Sequence, residues 1–286
     1  MTLATATGRS RRIALPGLGP LTAAAFAIVA VALLVALAAP LLATHDPYAF
    51  TADLNQPPGE GHLLGTDDQG QDVYSRLLYG TGLSLAFGAG AALLALAIGA
   101  LAALLALAAG RPAEWALFGF VDLIRALPGI LFALACVVAF EPGIATVVIA
   151  LGISFSPHFA LITRATYLHQ MAQPYTAAAR VLGAGRLRIA LVHVLPNIAG
   201  ALITQFAIVL PRCIVSESVL SFLGLGVSPE TPTWGRMIAS ATPYLEEAPH
   251  AVLAPILALS LVTFALAIVG NAVRRRSELP LSRDLP

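Results

Sequence analysis

Six long apolar segments constrain what this chain can fold into more than any other feature of its sequence. They lie at residues 21–42, 82–109, 115–140, 143–163, 198–220 and 249–272. A run of roughly 20 apolar residues is long enough to cross a bilayer as a helix, and lipid offers no hydrogen-bond partner to backbone groups left unpaired. With 58% hydrophobic and 11% charged residues, the chain has too few polar side chains to cover the surface of a soluble protein. The sequence therefore predicts an all-α, polytopic membrane bundle of six transmembrane helices.

Arginine indicates how the bundle is oriented. All 16 basic residues are arginines, and they are concentrated in alternate connections between the apolar segments. If the N-terminus is cytoplasmic, the external connections hold only Arg76 and Arg236, Arg125 and Arg212 lie inside spans, and every other arginine is cytoplasmic. We therefore expect a multi-pass protein of a bacterial inner or plasma membrane with both termini in the cytoplasm. The first apolar segment is too long for the core of a signal peptide, so we expect it to remain as a span.

This topology divides the chain into four parts. Residues 1–20 and 274–286 are cytoplasmic tails, residues 21–81 form the first transmembrane helix and an external acidic loop, and residues 82–273 form a core of five transmembrane helices. Three connections are too long to be simple turns: 43–81, 167–197 and 221–248. The last contains three prolines, at positions 229, 232 and 243, which exclude a long helix there.

The cytoplasmic connection contains a short helix, predicted at about residues 174–190. Pro174 suits a first helical position, and Gly183 can adopt a positive φ that ends the helix. Ala177, Ala178 and Ala179 give this helix a face of small side chains. A short helix with such a face is suited to a groove on a partner protein.

This stretch resembles the coupling-helix motif of bacterial ABC importer permeases, which reads Glu-Ala-Ala, three residues, Gly, nine residues, Ile, one residue, Leu-Pro. Ala178, Ala179, Gly183, Leu195 and Pro196 fit that spacing. Two positions depart from the motif, because Ala177 replaces its Glu and His193 replaces its Ile. The resemblance implies that the following residues couple the chain to an ATPase: Tyr175, Ala177, Ala178, Ala179, Gly183, Leu195 and Pro196.

Two further segments narrow the resemblance to the C-type permease subunit of the dipeptide/oligopeptide ABC importer family. Residues 64–73 resemble the segment Leu-Gly-Thr-Asp…Gly-Arg-Asp-Val of those subunits, with Gln71 in place of the usual Arg. Residues 217–226 resemble the signature Glu…Leu-Ser-Phe-Leu-Gly-Leu-Gly, and Thr-Pro-Thr-Trp-Gly follows at 231–235. The residues expected along the translocation pathway are Arg212, Glu217, Ser221, Phe222, Leu223 and Gly224.

The resemblance also implies what this chain works with. It would pair with a B-type permease as a heterodimer, bind two ATPase domains that carry the ATP and Mg²⁺, and receive a peptide from an external substrate-binding protein. The chain lacks the lysine that grips phosphates in P-loop ATPases. We therefore expect this chain to hydrolyse no ATP and to have no catalytic residue. We also expect no cofactor, metal or nucleic-acid partner on it.

The sequence leaves several alternatives open. Permeases of the same family carry nickel chelates, opines, glutathione or haem, and an ATP-independent channel or an intramembrane enzyme is a more distant possibility. The enzyme hypothesis depends on Ser154 and Ser156 near His158, although packing is the favoured role for that histidine. Asp122 and Arg125 are expected to form a local ion pair, and the acidic residues at 67, 68 and 72 are expected to be solvated or helix-capping rather than cation ligands.

Overall fold

The computed structural model describes residues 19–59, 61–141 and 143–278, which are almost entirely helix and connecting loop. The helices are α1 (Pro20–Leu42), α2 (Val73–Ala109), α3 (Arg111–Arg125), α4 (Gly129–Ala139), α5 (Ile144–Met171), α6 (Pro174–Val181), α7 (Arg186–Arg188), α8 (Leu195–Phe222), α9 (Trp234–Ala241) and α10 (Pro249–Glu278). A π-helical turn, Ile189–Val194, joins α7 to α8, and a 3₁₀ turn, Thr242–Tyr244, follows α9. The predicted N-terminal tail and the end of the C-terminal tail lie outside the described residues.

Five of the predicted spans are confirmed as helices long and apolar enough to cross a membrane. They are α1, α2, α5, the continuous helical path Arg186–Phe222, and α10. The chain is therefore a multi-pass membrane protein. The external loop is shorter than predicted, because Asp72 caps α2 and the helix begins at Val73, so residues 73–81 are helical.

The third predicted span, residues 115–140, is not one straight helix. It is divided into α3 and α4, whose axes are bent by 92°. Pro128 lies in the break, and a proline removes a backbone donor and disfavours helical geometry in the residue before it. The count of six transmembrane helices holds only if this bent pair is counted as one span.

Helix α2 is the centre of the bundle and packs against α1, α5 and α8. Its buried face is rich in glycine and alanine, so neighbouring helices approach closely. A Cβ atom built on Gly99 would lie 2.2 Å from the carbonyl oxygen of Ser156 in α5, and one on Gly88 would lie 2.3 Å from Ile214 Cγ1 in α8. The main hydrophobic core lies among α2, α5 and α8.

The connection between α1 and α2 and the connection between α8 and α10 pack on each other beside the N-terminal half of α2. The backbone amide of Trp234, whose side chain is fully buried, donates to Ser84 Oγ over 3.0 Å. Thr66 O lies 3.1 Å from His250 Nε2 at the start of α10. Both connections are therefore ordered parts of the fold.

Candidate functional site

The predicted coupling segment is a short helix and a tight turn, residues 174–185. Pro174 is the first residue of α6, and Thr176 is buried with its hydroxyl donating to Gln173 O over 2.7 Å. The helix ends at Val181 rather than near residue 190, because Gly183 adopts φ +84° and reverses the chain. The amide of Ala184 then donates to Ala179 O over 3.0 Å, which closes the turn.

The three alanines do not share one open face. Ala177 and Ala178 are exposed, whereas Ala179 is buried and belongs to the main core. A helix of 3.6 residues per turn cannot present three consecutive side chains to one partner. Ala179 therefore holds α6 against the bundle and leaves Ala177 and Ala178 open to a partner.

Sequence reasoning missed the most exposed apolar residues of this segment. Val181 and Leu182 are 88% and 87% exposed, although they lie on a connection between spans and not on a spanning helix. The sequence does contain a signal for this surface: two adjacent apolar residues between Arg180 and Gly183, in a connection outside the spans. Exposed apolar side chains of this kind mark interaction surfaces when they cluster.

The turn and the start of the next helix enclose one cavity of about 450 Å³. It is lined by Tyr175, Ala178, Leu182, Gly183, Arg188 and His193, among others. Most predicted coupling residues therefore meet at one surface. Ala177, Leu195 and Pro196 do not line it. Leu195 packs against the main core and is the first residue of α8, and Pro196 is the second.

An ion pair fixes the neighbouring helix ends. Arg164 Nη2 lies 2.6 Å from Glu114 Oε1, and the guanidinium stacks 4.5 Å from the centre of the Phe118 ring. These contacts join α3 to α5 close to the coupling segment. The partners are 50 residues apart, so no local pattern in the sequence indicated the pair.

The predicted pathway residues separate into three groups. Arg212 is exposed and lines a cavity of about 500 Å³ between α8 and α10, together with Ser216, Thr263 and Asn271. Glu217 is 1% exposed on another face of α8 and accepts a hydrogen bond of 2.7 Å from the Ser221 hydroxyl. The structure therefore does not bring Arg212 and Glu217 together, and it buries Glu217 and Ser221 inside this chain.

The remaining predicted pathway residues end α8. Phe222 and Leu223 are exposed, and Gly224 adopts φ +78° in a turn closed by a bond of 3.0 Å from its amide to Ser221 O. The glycine-rich signature is thus a helix end, with two apolar side chains presented outward.

The polar residues of the spans that the sequence singled out for separate roles have local partners. Arg125 Nη1 lies 3.5 Å from Asp122 Oδ1, which confirms the predicted ion pair. His158 Nδ1 lies 3.3 Å from Phe155 O, which agrees with a packing role. The hydroxyls of Ser154 and Ser156 both donate to backbone carbonyls, those of Gly129 and Ile153, over 2.8 Å.

Two of the three acidic residues at 67, 68 and 72 are buried rather than solvated: Asp67 and Asp72 are buried, and Asp68 is half-buried. Asp72 Oδ2 accepts the Ser75 amide over 2.8 Å as the N-cap of α2, so capping is confirmed. Asp67 Oδ1 accepts the amides of Gln69 and Gln71 at 3.0 and 2.9 Å. Burial works against ionisation of Asp72, but hydrogen bonds from Ser75 and His62 hold its pKa below the ordinary value.

The chain is similar in sequence to known membrane components of transport systems. Residues 95–279 match the family described as "Binding-protein-dependent transport system inner membrane component". The di/tripeptide transport system permease protein DppC of Pseudomonas aeruginosa (strain UCBPP-PA14) is 38% identical over 246 residues, which is 84% of this chain and 81% of that protein. The dipeptide transport system permease protein DppC of Escherichia coli (strain K12) is 40% identical over 253 residues, covering 86% and 84%. The glutathione transport system permease protein GsiD of Shigella flexneri serotype 5b (strain 8401) is 39% identical over 256 residues, covering 89% and 84%.

Proposed function

Because this chain belongs to the family of binding-protein-dependent transport system inner membrane components, we propose that it is the C-type permease subunit of an ATP-driven importer of di- or oligopeptides. Two of the relatives described above are named as peptide permeases, and both align with more than four fifths of this chain. In this proposal the chain supplies half of a translocation pathway and transmits the movement of ATPase subunits to it. Those partner subunits, and not this chain, would bind ATP and Mg²⁺.

The observation that carries the proposal is the exposed apolar tip of the coupling segment. Val181 and Leu182 project beside the exposed Ala177 and Ala178, next to a cavity of about 450 Å³. Burial of an aliphatic side chain of this size stabilises a contact by about 1.5–3 kcal/mol. An ATPase groove that covers this tip would therefore gain substantial free energy of association from two adjacent side chains.

The coupling segment is also well placed to pass movement to the bundle. Ala179 fixes α6 to the main core, and α7 with its π-helical turn runs directly into α8, the helix that carries Arg212. A displacement of α6 would act on the start of α8, and through that helix on the cavity between α8 and α10. This is a rigid-body route from ATP hydrolysis to the pathway.

The second half of the pathway would come from a B-type permease. Arg212 is exposed on α8 in a cavity that α10 lines with both polar and apolar side chains, including Thr263 and Phe264, and a cation that faces lipid is costly. A partner permease that covers this face would remove the arginine from lipid and enclose a polar route between two halves. An external substrate-binding protein would deliver the peptide.

Reconstitution in liposomes tests the whole proposal. The purified chain alone is expected to show neither ATP hydrolysis nor ATP-driven uptake of a labelled dipeptide. Addition of the B-type permease, the ATPase subunits and the binding protein should produce both activities. Uptake by this chain alone, down a gradient and without ATP, would instead support an ATP-independent channel.

Glutathione is a second candidate substrate, because GsiD aligns with this chain about as well as the dipeptide permeases do. Purification of the cognate binding protein, followed by mass spectrometry of its bound ligand, separates the two candidates. A dipeptide or oligopeptide supports the main proposal, and glutathione alone would replace it.

A further inference from the structure

Three side chains with metal-binding donor atoms converge where the external loop meets the membrane bundle. They are His45, just after α1, His62, in the middle of the loop, and Asp72, the N-cap of α2. Their ligand atoms all lie within 4.8 Å of one another. The chain folds three distant positions onto this point, and the proposed transport function uses none of them.

The distances suit a single ion. His62 Nδ1 lies 2.9 Å from Asp72 Oδ1, the hydrogen bond described above that an ion would replace, and His45 Nδ1 lies 3.9 Å from the same oxygen. Two donors bound to one zinc ion at about 2.1 Å in a tetrahedral site are about 3.4 Å apart, so the observed distances bracket that value. The imidazole rings lie 4.6 Å apart between centroids and are tilted by 35°, which leaves both Nδ1 atoms near the carboxylate.

The surroundings orient the donors. Asp72 Oδ2 is held by the Ser75 amide over 2.8 Å, so Oδ1 is the oxygen presented to the histidines. The backbone amide of His45 donates to Ser75 Oγ over 3.1 Å, which fixes that residue against the same helical turn. Hydrogen bonds that orient the ligands in this way are typical of metal sites.

Exposure of the three groups leaves an entry route. The Asp72 side chain is 1% exposed and that of His62 is 16% exposed, whereas His45 is 43% exposed. The carboxylate is buried, and the two imidazoles above it are more exposed, His45 most of all. The three groups can therefore act as protein ligands and leave one side of the site open to water. Imidazole nitrogen with a carboxylate oxygen is the donor set that suits zinc and related divalent ions.

We propose that His45, His62 and Asp72 form a binding site for a divalent transition-metal ion of the zinc class. A bound ion would join the end of α1, the middle of the external loop and the start of α2. The site acts as a clamp that holds the external loop on the bundle. The proposal does not depend on which solute the chain transports.

Zinc binding by the full-length chain in lipid nanodiscs, carrying an affinity tag without histidine, tests the site. Equilibrium dialysis with Zn²⁺ alone should give one ion per chain, and Co²⁺ in its place should give the visible absorption of a low-coordinate nitrogen–oxygen site. His62→Ala should weaken Zn²⁺ binding by more than about 100-fold, since loss of an outer-shell partner alone costs about 10–100-fold. The double variant His45→Ala/His62→Ala should bind no stoichiometric zinc.

A matched control separates this site from adventitious binding to surface histidines. His169→Ala removes an exposed histidine at the end of α5 and should leave the stoichiometry at one. Because Asp72 also caps α2, its replacement tests folding as well as binding, so the two histidine variants carry the test. Amide exchange of residues 43–72 should slow when Zn²⁺ is added to the wild type and stay unchanged in the double variant. Unaltered zinc binding by the double variant, or no binding by the wild type, would overturn the proposal.

Discussion

Arg76 Nε lies 3.5 Å from Asp67 Oδ2, and the two side chains are only 2% and 8% exposed. The Arg76 guanidinium also donates to Pro47 O over 3.1 Å and to the side-chain oxygen of Gln71. Gln71 occupies the position where the similar family segment has arginine. In this chain, a buried glutamine therefore serves as an acceptor for the arginine of α2, and the group ties the external loop to the bundle.

Replacement of Arg76 by methionine should strongly destabilise the external region, because it leaves the Asp67 carboxylate buried without its counter-charge. Removal of one partner of a buried ion pair costs about 3–5 kcal/mol. Denaturant unfolding in detergent measures the loss, with Arg188→Met as the exposed control. The double variant Arg76→Met/Asp67→Asn should recover part of the loss. Equal stability of Arg76→Met and the control would contradict the proposed role of the pair.

Gly99→Ala should destabilise the bundle, whereas Gly90→Ala in the same helix should have little effect. A Cβ on Gly99 would lie 2.2 Å from a backbone oxygen of α5, but one on Gly90 would have Val148 Cγ1 at 3.7 Å as its nearest neighbour. Overpacking of this kind costs about 1–3 kcal/mol. Thermal unfolding of the two variants in one detergent gives the comparison, and similar midpoints would show that α2 and α5 can separate without cost.

Leu182→Asp should weaken association with the ATPase subunits by at least about tenfold, because it places a charge where an apolar contact is proposed, and about 1.4 kcal/mol corresponds to tenfold. Affinity between the purified membrane complex and the ATPases is the measurement. Leu63→Asp is a matched control, since Leu63 is also an exposed leucine (57%) but lies on the connection between α1 and α2, away from the proposed ATPase contact. Both variants should fold and insert normally. Full ATPase affinity in Leu182→Asp would reject the docking surface.

Gly183→Ala should loosen the turn after α6, and Gly185→Ala should not. A Cβ added at either position would have no atom within 4 Å, so steric contact is not the difference between them. Gly183 adopts φ +84°, where an L-residue costs about 1–2 kcal/mol, whereas Gly185 has φ −67°. Faster amide exchange of residues 174–188 in the first variant only is the expected result. An equal change in both variants would mean that the positive φ of Gly183 does not determine the stability of this turn.

Cysteine labelling should place the external loop and the coupling segment on opposite sides of the membrane. Gly61→Cys is expected to react with a membrane-impermeant thiol reagent in cells with a permeable outer barrier. Gly185→Cys should react only after the inner membrane is opened. Both positions have open space around a Cβ, so the substitutions are sterically mild. The unsubstituted chain, which has Cys136 and Cys213, sets the background, and the reverse labelling pattern would overturn the arginine-based orientation.

The sequence by itself determined the features that depend on short stretches of chain. The apolar runs predicted six spans, of which five are single helical paths long enough to cross a membrane, and Pro174 predicted where the helix of the coupling segment begins. Helix capping was one of the two roles expected for the acidic residues at 67, 68 and 72, and Asp72 has it. These predictions succeed because length, backbone restriction and capping act within a few residues. They need no knowledge of what lies elsewhere in the fold.

Only the tertiary structure decided which side chains are buried, which are exposed and which distant residues meet. It buried Ala179 while leaving Ala177 and Ala178 open, and it placed Glu217 inside the chain but Arg212 at an exposed cavity. It also brought His45, His62 and Asp72 to one point. The direction that a side chain faces depends on which helices pack against its own, and that packing is set by contacts between residues far apart in the chain.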